Sequence, residues 1–294
     1  MEKLKLKYKI AYGITGIGDS ALYALMGNFA IYFLTIVAGV NPAVAGMIAA
    51  IGSIWETLCG ASIGYISDNT RSKSGKRKPF ILGAAFPLAI LTSLFFTSTG
   101  LEGTSKVIYY GIILVLFWTA FTTFFIPYLA WGSELTRNYN ERTVLRGYVF
   151  FFNAIGMAIG MALPTVIVEF MTQHNISVER SWQFVGVSCG LCSALTIFIG
   201  AYLIKDSGET KESLQKTNKR LSVKTILHKF NAVIELIKNY LEILKLRCVR
   251  YILLGSITYL TAHAAFCANR MYFFTYNIGL SSRQITIVML ILTF

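Results

Sequence analysis

Long apolar stretches alternate with short polar segments along most of the chain. A helix needs roughly 20 apolar residues to cross a hydrocarbon core of about 30 Å. Seven stretches reach that length and predict complete membrane spans, and an eighth is cut short where the sequence ends. The predicted spans are residues 10–37, 42–67, 80–98, 107–131, 147–171, 182–204 and 251–279, with residues 285–294 as the start of the last one.

The order of these spans predicts an all-α polytopic membrane protein with two bundles. We expect a six-span transmembrane bundle over residues 1–204, a cytoplasmic linker over residues 205–250, and the first one to two helices of a second, truncated bundle over residues 251–294. Apolar residues recur at helical spacing within the linker, with lysines between them. This pattern predicts either a basic amphipathic helix on the membrane surface or a soluble helix packed on the bundle. We find no internal sequence repeat, although structural repeats need not leave one.

Composition and charge agree with a membrane protein. Hydrophobic residues make up 55% of the chain and charged residues only 14%, against about 25% charged residues in soluble domains. Of the 27 lysines and arginines, 23 lie in the N-terminal tail and the even-numbered connections. Because cytoplasmic loops collect such residues, we expect a multi-pass protein of the plasma (inner) membrane with a cytoplasmic N-terminus. The net charge of +13 then serves topology and contact with membrane lipid, and no nucleic-acid partner is expected.

Four polar or ionisable residues lie deep within the predicted spans. A charge at the centre of a span costs at least about 2.5–3.5 kcal/mol, so such a residue is a functional candidate. Asp19 and Glu56 lie at nearly one depth in spans one and two, with Thr122 level with them in span four and His263 midway along span seven. Together they predict a water-accessible cavity. The alternatives are a hydrogen bond from Thr122 to its own helix and a neutral, buried His263.

Charged residues also cluster in two neighbouring connections on the predicted cytoplasmic side. We predict ion pairs between these connections that hold a cytoplasmic gate closed. The alternative is a solvated basic loop, because exposed ion pairs contribute only about 0–1 kcal/mol. The predicted gate residues are Asp68, Arg71, Lys76, Arg77, Glu134, Glu141 and Arg142.

Three parts of the sequence resemble one family of transporters. They are residues 12–19 (YGITGIGD), residues 55–56 (WE) with the basic loop at 68–80 (DNTRSKSGKRKPF), and residues 126–128 (IPY) with 133–136 (SELT). This pattern resembles the glycoside–pentoside–hexuronide:cation symporters, the melibiose permease-like group of the major facilitator fold. The resemblance implies a major-facilitator-like architecture in which an N-terminal six-helix bundle faces a second bundle, here apparently truncated at its C-terminal side.

The resemblance also implies roles for single residues. It implies that Asp19 contacts the sugar and that Glu56 and Thr122 hold the coupling cation. Gly60, Phe125 and Phe150 depart from the melibiose permease pattern, because each stands where that permease has a charged residue. The predicted substrate-binding residues are Asp19, Tyr23, Asn153 and His263, and the predicted cation-coupling residues are Glu56, Thr122 and Asp19.

We therefore expect a secondary active transporter that carries a sugar or glycoside-like solute by cation-coupled symport. A carrier of a lipid-like or amphiphilic solute in the same fold, and a truncated remnant that transports nothing, are the alternatives. We expect no enzymatic activity and no cofactor, since the chain has no nucleophile–base pair and no phosphate loop. The coupling ion is H⁺ or Na⁺. We favour H⁺ because Gly60 removes an oxygen ligand that Na⁺ would use, although Na⁺ at Glu56 remains the alternative.

Overall fold

A computed structural model describes residues 4–70, 72, 75–136, 138–204 and 246–292 of the chain. The described residues form helices and contain no strand. Within the described ranges, seven helices are long and apolar enough to cross a membrane, which confirms the prediction of an all-α polytopic protein. The α-helices described are α1 (Leu6–Tyr32), α2 (Pro42–Asn69), α3 (Lys78–Phe95), α4 (Gly103–Glu134), α5 (Tyr139–Gln173), α6 (Val178–Leu203), α7 (Arg247–Tyr272) and α8 (Ser282–Ile291).

Helix α5 begins eight residues before its predicted span, which started at residue 147. The Asn138 side chain accepts a hydrogen bond from the Asn140 backbone N–H at 2.9 Å and caps the helix there. Polar residues occupy the first turns of α5, and hydropathy therefore placed the start of the span too late. A side-chain cap sets the start of a helix independently of the apolar run that follows it.

The chain divides into two compact units, Met1–Ser207 with Arg270–Phe294, and Gly208–Asn269. In the first unit, α1 packs against α5 and α6, α3 packs against α4 and α6, and α2 packs against α4. Helix α8 lies on α5. Of the second unit, residues 246–269 are described, and they form most of α7. The predicted linker lies largely outside the described residues, so its amphipathic helix stays a prediction.

Small residues allow α1 and α5 to approach closely. A Cβ atom added at Gly156 would lie 2.8 Å from the Cα of Ile17, and one added at Gly160 would lie 2.9 Å from the Cα of Ala21. Neither position has room for a side chain. The α1–α5 contact is therefore backbone against backbone, the close packing that small residues permit in membrane helices.

One turn occurs twice in the structure. Helix α1 ends in the π-helical turn Phe33–Val37, and α7 ends in the π-helical turn Phe273–Asn277. Each turn is closed by an equivalent main-chain hydrogen bond, 2.9 Å long in the first and 3.1 Å in the second. Each is followed by a glycine with positive φ, 68° and 71° respectively.

The sequence of this turn repeats as well, as Tyr-Phe-x-Thr-x-x-x-Gly from Tyr32 and again from Tyr272. The similarity is confined to this turn, in which four of eight positions are identical. The two copies meet in the first unit, where the Tyr32 and Tyr272 rings lie 5.6 Å apart. The Tyr272 hydroxyl contacts the Thr35 hydroxyl and donates to the Ile31 carbonyl at 3.3 Å.

Candidate functional site

Asp19 lies inside the helix bundle of the first unit. The residue is only 6% exposed, and its Oδ1 atom has no hydrogen-bond partner among the described residues. Neighbouring helices cover this carboxylate, and the predicted water-accessible cavity stays a prediction. A buried carboxylate oxygen without a partner carries the full cost of desolvation, a cost that a hydrogen-bond donor would relieve.

Tyr12 and Tyr23 lie on the same face of α1 as Asp19. Tyr12 lies toward the start of the helix and Tyr23 on the other side of Asp19. The Tyr12 hydroxyl donates to the Tyr128 carbonyl at 2.8 Å, and the Tyr128 hydroxyl donates to the Tyr12 carbonyl at 3.0 Å. The two rings stack with centroids 4.5 Å apart. On the other side, Tyr23 is half exposed, and its ring packs near Trp118 and Phe121 of α4. Aromatic side chains of α1 and α4 thus bracket Asp19.

Asn153 connects α5 to α1 within one turn of Asp19. With its amide nitrogen directed toward the neighbouring acceptors, it donates to the Gly16 carbonyl at 3.1 Å and to the Val149 carbonyl at 3.2 Å. The structure thus brings Asp19, Tyr23 and Asn153 to neighbouring positions. The amide of Asn153 is engaged in helix contacts, which makes it a brace for the α1 segment that carries Asp19.

Glu56 is half-buried and lies in α2, which packs against α4. Gly52, Glu56 and Gly60 share one helix face because they are four residues apart. A Cβ at Gly60 would lie 3.7 Å from the Thr122 methyl group, so Glu56 and Thr122 belong to one interface. The Thr122 hydroxyl donates to the Trp118 carbonyl at 2.6 Å. This is the hydrogen bond to its own helix that was considered as the alternative to a role in the cavity.

The predicted gate residues separate into two clusters. Arg77 is buried and pairs with Asp68 and with Glu134, the latter at 3.1 Å, while Nη1 donates to Ser67 at 2.7 Å. These contacts join the end of α2, the start of α3 and the end of α4. Lys76 is exposed, and Arg71 lies outside the described residues.

The second cluster differs from the expected pairing. Glu141 pairs with Lys9 of α1 at 2.7 Å, and both side chains are about nine-tenths buried. Arg142 instead donates to the carbonyls of Thr136 and Ser133, at 2.9 and 3.1 Å. In the Lys9–Glu141 pair the first turn of α5 faces the start of α1. Sequence reasoning missed the contact of Lys9, although its spacing from Tyr12 and Asp19 places all three on one helix face.

His263 belongs to the second unit. Its ring nitrogens lie 3.8 and 3.9 Å from the Cys267 sulfur one turn further along α7. A role for His263 in substrate binding stays a prediction. Among the residues that the structure describes, no group of three or more His, Cys, Asp or Glu side chains could hold a metal ion.

A polytopic helical bundle that buries a carboxylate near the middle of a span is typical of secondary transporters. Comparison with known families agrees. Residues 11–294 match the family described as MFS/sugar transport protein, and the chain belongs to this family of membrane transporters. This confirms the resemblance from which the major-facilitator-like architecture was expected.

Several curated proteins are similar to the chain. An uncharacterized symporter of Synechocystis sp. is 31% identical over 71% of the chain, and the isoprimeverose transporter of Lactiplantibacillus pentosus is 22% identical over 79%. The sodium-dependent lysophosphatidylcholine symporter 1 of Xenopus tropicalis is 27% identical over 56%. The chain spans less than half the length of these relatives, covering 39%, 49% and 32% of them in that order.

Proposed function

We propose that the protein carries a sugar or glycoside-like solute by cation-coupled symport, with alternating access of the Asp19 site to the two sides of the membrane. The observation that carries this proposal is the buried Asp19 carboxylate, whose Oδ1 atom has no hydrogen-bond partner among the described residues. Sugar hydroxyl groups are donors suited to such an oxygen. Tyr23, about half exposed one turn from Asp19, offers apolar surface for a sugar ring. Such a mixture of polar and apolar groups is typical of small-molecule sites.

Glu56 is the proposed coupling residue, with Thr122 beside it and Asp19 as the link to the solute. A carboxyl group that takes up and releases a proton during the cycle would couple the solute to a proton gradient. Na⁺ binding needs several oxygen ligands, which transporters often supply from carbonyl groups. Gly60 offers no side-chain oxygen to this α2–α4 interface, and we therefore favour H⁺.

The Arg77 cluster and the Lys9–Glu141 pair lie at the same end of the bundle, which we call the basic end. We propose that the basic end faces the cytoplasm and that the Arg77 cluster works as the inner gate. Its ion pairs join α2, the start of α3 and α4, so an inward opening that separates these elements must break them. Arg71 and Lys76 remain in the proposed gate on sequence grounds.

Uptake of a panel of radiolabelled glycosides and pentosides into proteoliposomes tests the proposal. An imposed pH or Na⁺ gradient should drive accumulation of at least one solute. Asp19→Asn should abolish accumulation, because the amide loses the charge and one acceptor. Glu102→Gln, a matched change at an exposed residue outside the spans, should leave it intact. Accumulation that survives Asp19→Asn would contradict the proposal.

A second candidate solute is an amphiphile with an apolar chain. Phe125 stacks on Phe121 at 5.7 Å between centroids, and Phe124 stacks on Tyr128 at 5.5 Å. Phe121, Phe124 and Tyr128 are almost fully buried, so the accessible apolar surface is that of the half-exposed Tyr23 and the partly buried Phe125. This surface would suit an apolar tail as well as a sugar ring. Lysolipids therefore belong in the same uptake panel.

A further inference from the structure

A narrow groove runs between α3 and α4, away from the Asp19 site. Its volume is about 420 Å³, within the range of about 300–1,000 Å³ typical of ligand pockets. Small residues create it, because Gly83 and Ala120 leave space between the helices. Pro87, a proline inside α3, also lines the groove. Pro79 and Leu116 are among the residues that line its two helices.

The wall of this groove is largely apolar. Its two hydroxyl groups already have partners, because Thr119 donates to the Val115 carbonyl at 2.8 Å and Thr123 donates to the Thr119 carbonyl at 2.7 Å. Thr119 also accepts a hydrogen bond from the Trp55 indole at 2.8 Å. Water in the groove would find few partners, whereas an apolar chain would lose nothing by entering.

The position of the groove identifies the chemistry of its occupant. Both α3 and α4 qualify as membrane spans, so an apolar groove between them is filled from the bilayer. It begins at Pro79, close to the segment between α2 and α3, which carries four basic residues and no acidic residue. Arg77 is held by Asp68 and Glu134, and Lys78 donates to the Ile204 carbonyl at 2.8 Å. Lys76 is exposed beside them and remains for a headgroup.

We propose that the α3–α4 groove binds one acyl chain of an anionic phospholipid, with Lys76 contacting the phosphate at the basic end. Each basic side chain at a membrane surface favours anionic lipid. The contact would also reach α2, because Thr119 both lines the groove and accepts from Trp55, the neighbour of Glu56. The site is independent of the transported solute, and its test does not depend on uptake.

Native mass spectrometry of the purified chain, released from nanodiscs of equal phosphatidylglycerol and phosphatidylcholine, tests this assignment. The wild-type protein should retain phosphatidylglycerol in preference. Gly83→Phe should remove it, because a Cβ at Gly83 meets no atom within 4 Å and the ring would fill the groove. Gly111→Phe is the matched control, since Gly111 lies in α4 outside the groove and has equal space.

Lys76→Gln should lower the preference for phosphatidylglycerol by about fivefold, as expected for one basic side chain near a lipid surface. If Gly83→Phe fails to fold, Gly83→Leu gives the same comparison with a smaller side chain. Retention of phosphatidylglycerol by a folded Gly83 variant at the wild-type level would overturn the site. Equal retention of the two lipids by the wild-type protein would overturn its anionic character.

Discussion

Lys9 and Asp19 lie on the same face of α1, and their surroundings give them different roles. Lys9 has the Glu141 carboxylate at 2.7 Å, in a site where both side chains are largely withdrawn from water. The Oδ1 atom of Asp19 has no partner among the described residues. Two charges buried as a pair compensate each other, and removing either one leaves the other buried without its counter-charge. An unsatisfied buried oxygen is costly and uncommon in folded proteins, and a ligand at Asp19 is the explanation that we propose.

The Lys9–Glu141 pair gives the first prediction. Lys9→Gln should destabilise the protein by about 3–5 kcal/mol, because it leaves the Glu141 carboxylate buried without its counter-charge. Glu141→Gln should cost a similar amount, and the double variant should cost less than the sum of the two. Thermal unfolding of the purified protein in detergent measures this. Lys5 is an exposed lysine of the same segment, and Lys5→Gln should have little effect. Equal stability of the wild type, the two single variants and the double variant would contradict the pairing.

Part of the site could be predicted from single residues. Asp19 and Glu56 stand out in the sequence because a charge deep in a membrane span is costly. The reciprocal bonds of Tyr12 and Tyr128 could not be found in this way, since each hydroxyl binds a main-chain carbonyl of the other helix. Such a contact depends on how two distant helices approach, and tyrosine at these positions fits a span equally well without it.

In helix α5, the room available for a side chain depends on the face of the helix. Its glycines at positions 156 and 160 meet the α1 backbone, whereas Gly147 meets no atom within 4 Å of an added Cβ. Alanine generally stabilises a helix relative to glycine by about 0.5–1 kcal/mol. The same substitution should therefore have opposite effects at these two positions of one helix.

The second prediction follows from this difference. Gly160→Ala should destabilise the protein by about 1–3 kcal/mol, since its Cβ would overlap the Ala21 backbone and push α1 away. Gly147→Ala should leave the melting temperature unchanged or raise it. Both variants are compared by thermal unfolding in the same detergent. A Gly160→Ala protein as stable as Gly147→Ala would show that α1 and α5 are not in backbone contact.

The elements themselves were largely predictable, and their ends were not. Apolar runs predicted each of the seven long helices, because the bilayer sets the length of a span. The repeated turn escaped notice because only four of its positions match between the two copies. The two copies are similar mainly in backbone geometry. Both are π-helical turns that are closed by equivalent hydrogen bonds and followed by a glycine with positive φ.

The distribution of charge over the whole molecule gives the third prediction. In a variant with its five native cysteines replaced by serine, cysteine at Lys76 should resist a membrane-impermeant thiol reagent applied to intact cells. Cysteine at Glu102, at the other end of the bundle, should react. Both side chains are exposed, so the difference reports the side of the membrane. The physical reason is the retention of Lys and Arg on the cytoplasmic side, and reaction at Lys76→Cys from outside would reverse the proposed orientation.

The central claim is that solute and cation move together through a site built on Asp19 and Glu56. The most direct measurement places a pH electrode in a lightly buffered suspension of de-energised proteoliposomes and adds a solute found to be taken up. The account predicts that the external medium becomes more alkaline as protons enter with the solute. Wild-type protein and Glu102→Gln should show this change, and Glu56→Gln should not. Solute uptake that requires a Na⁺ gradient and moves no protons would contradict the predicted proton coupling, and uptake that involves neither cation would contradict symport itself.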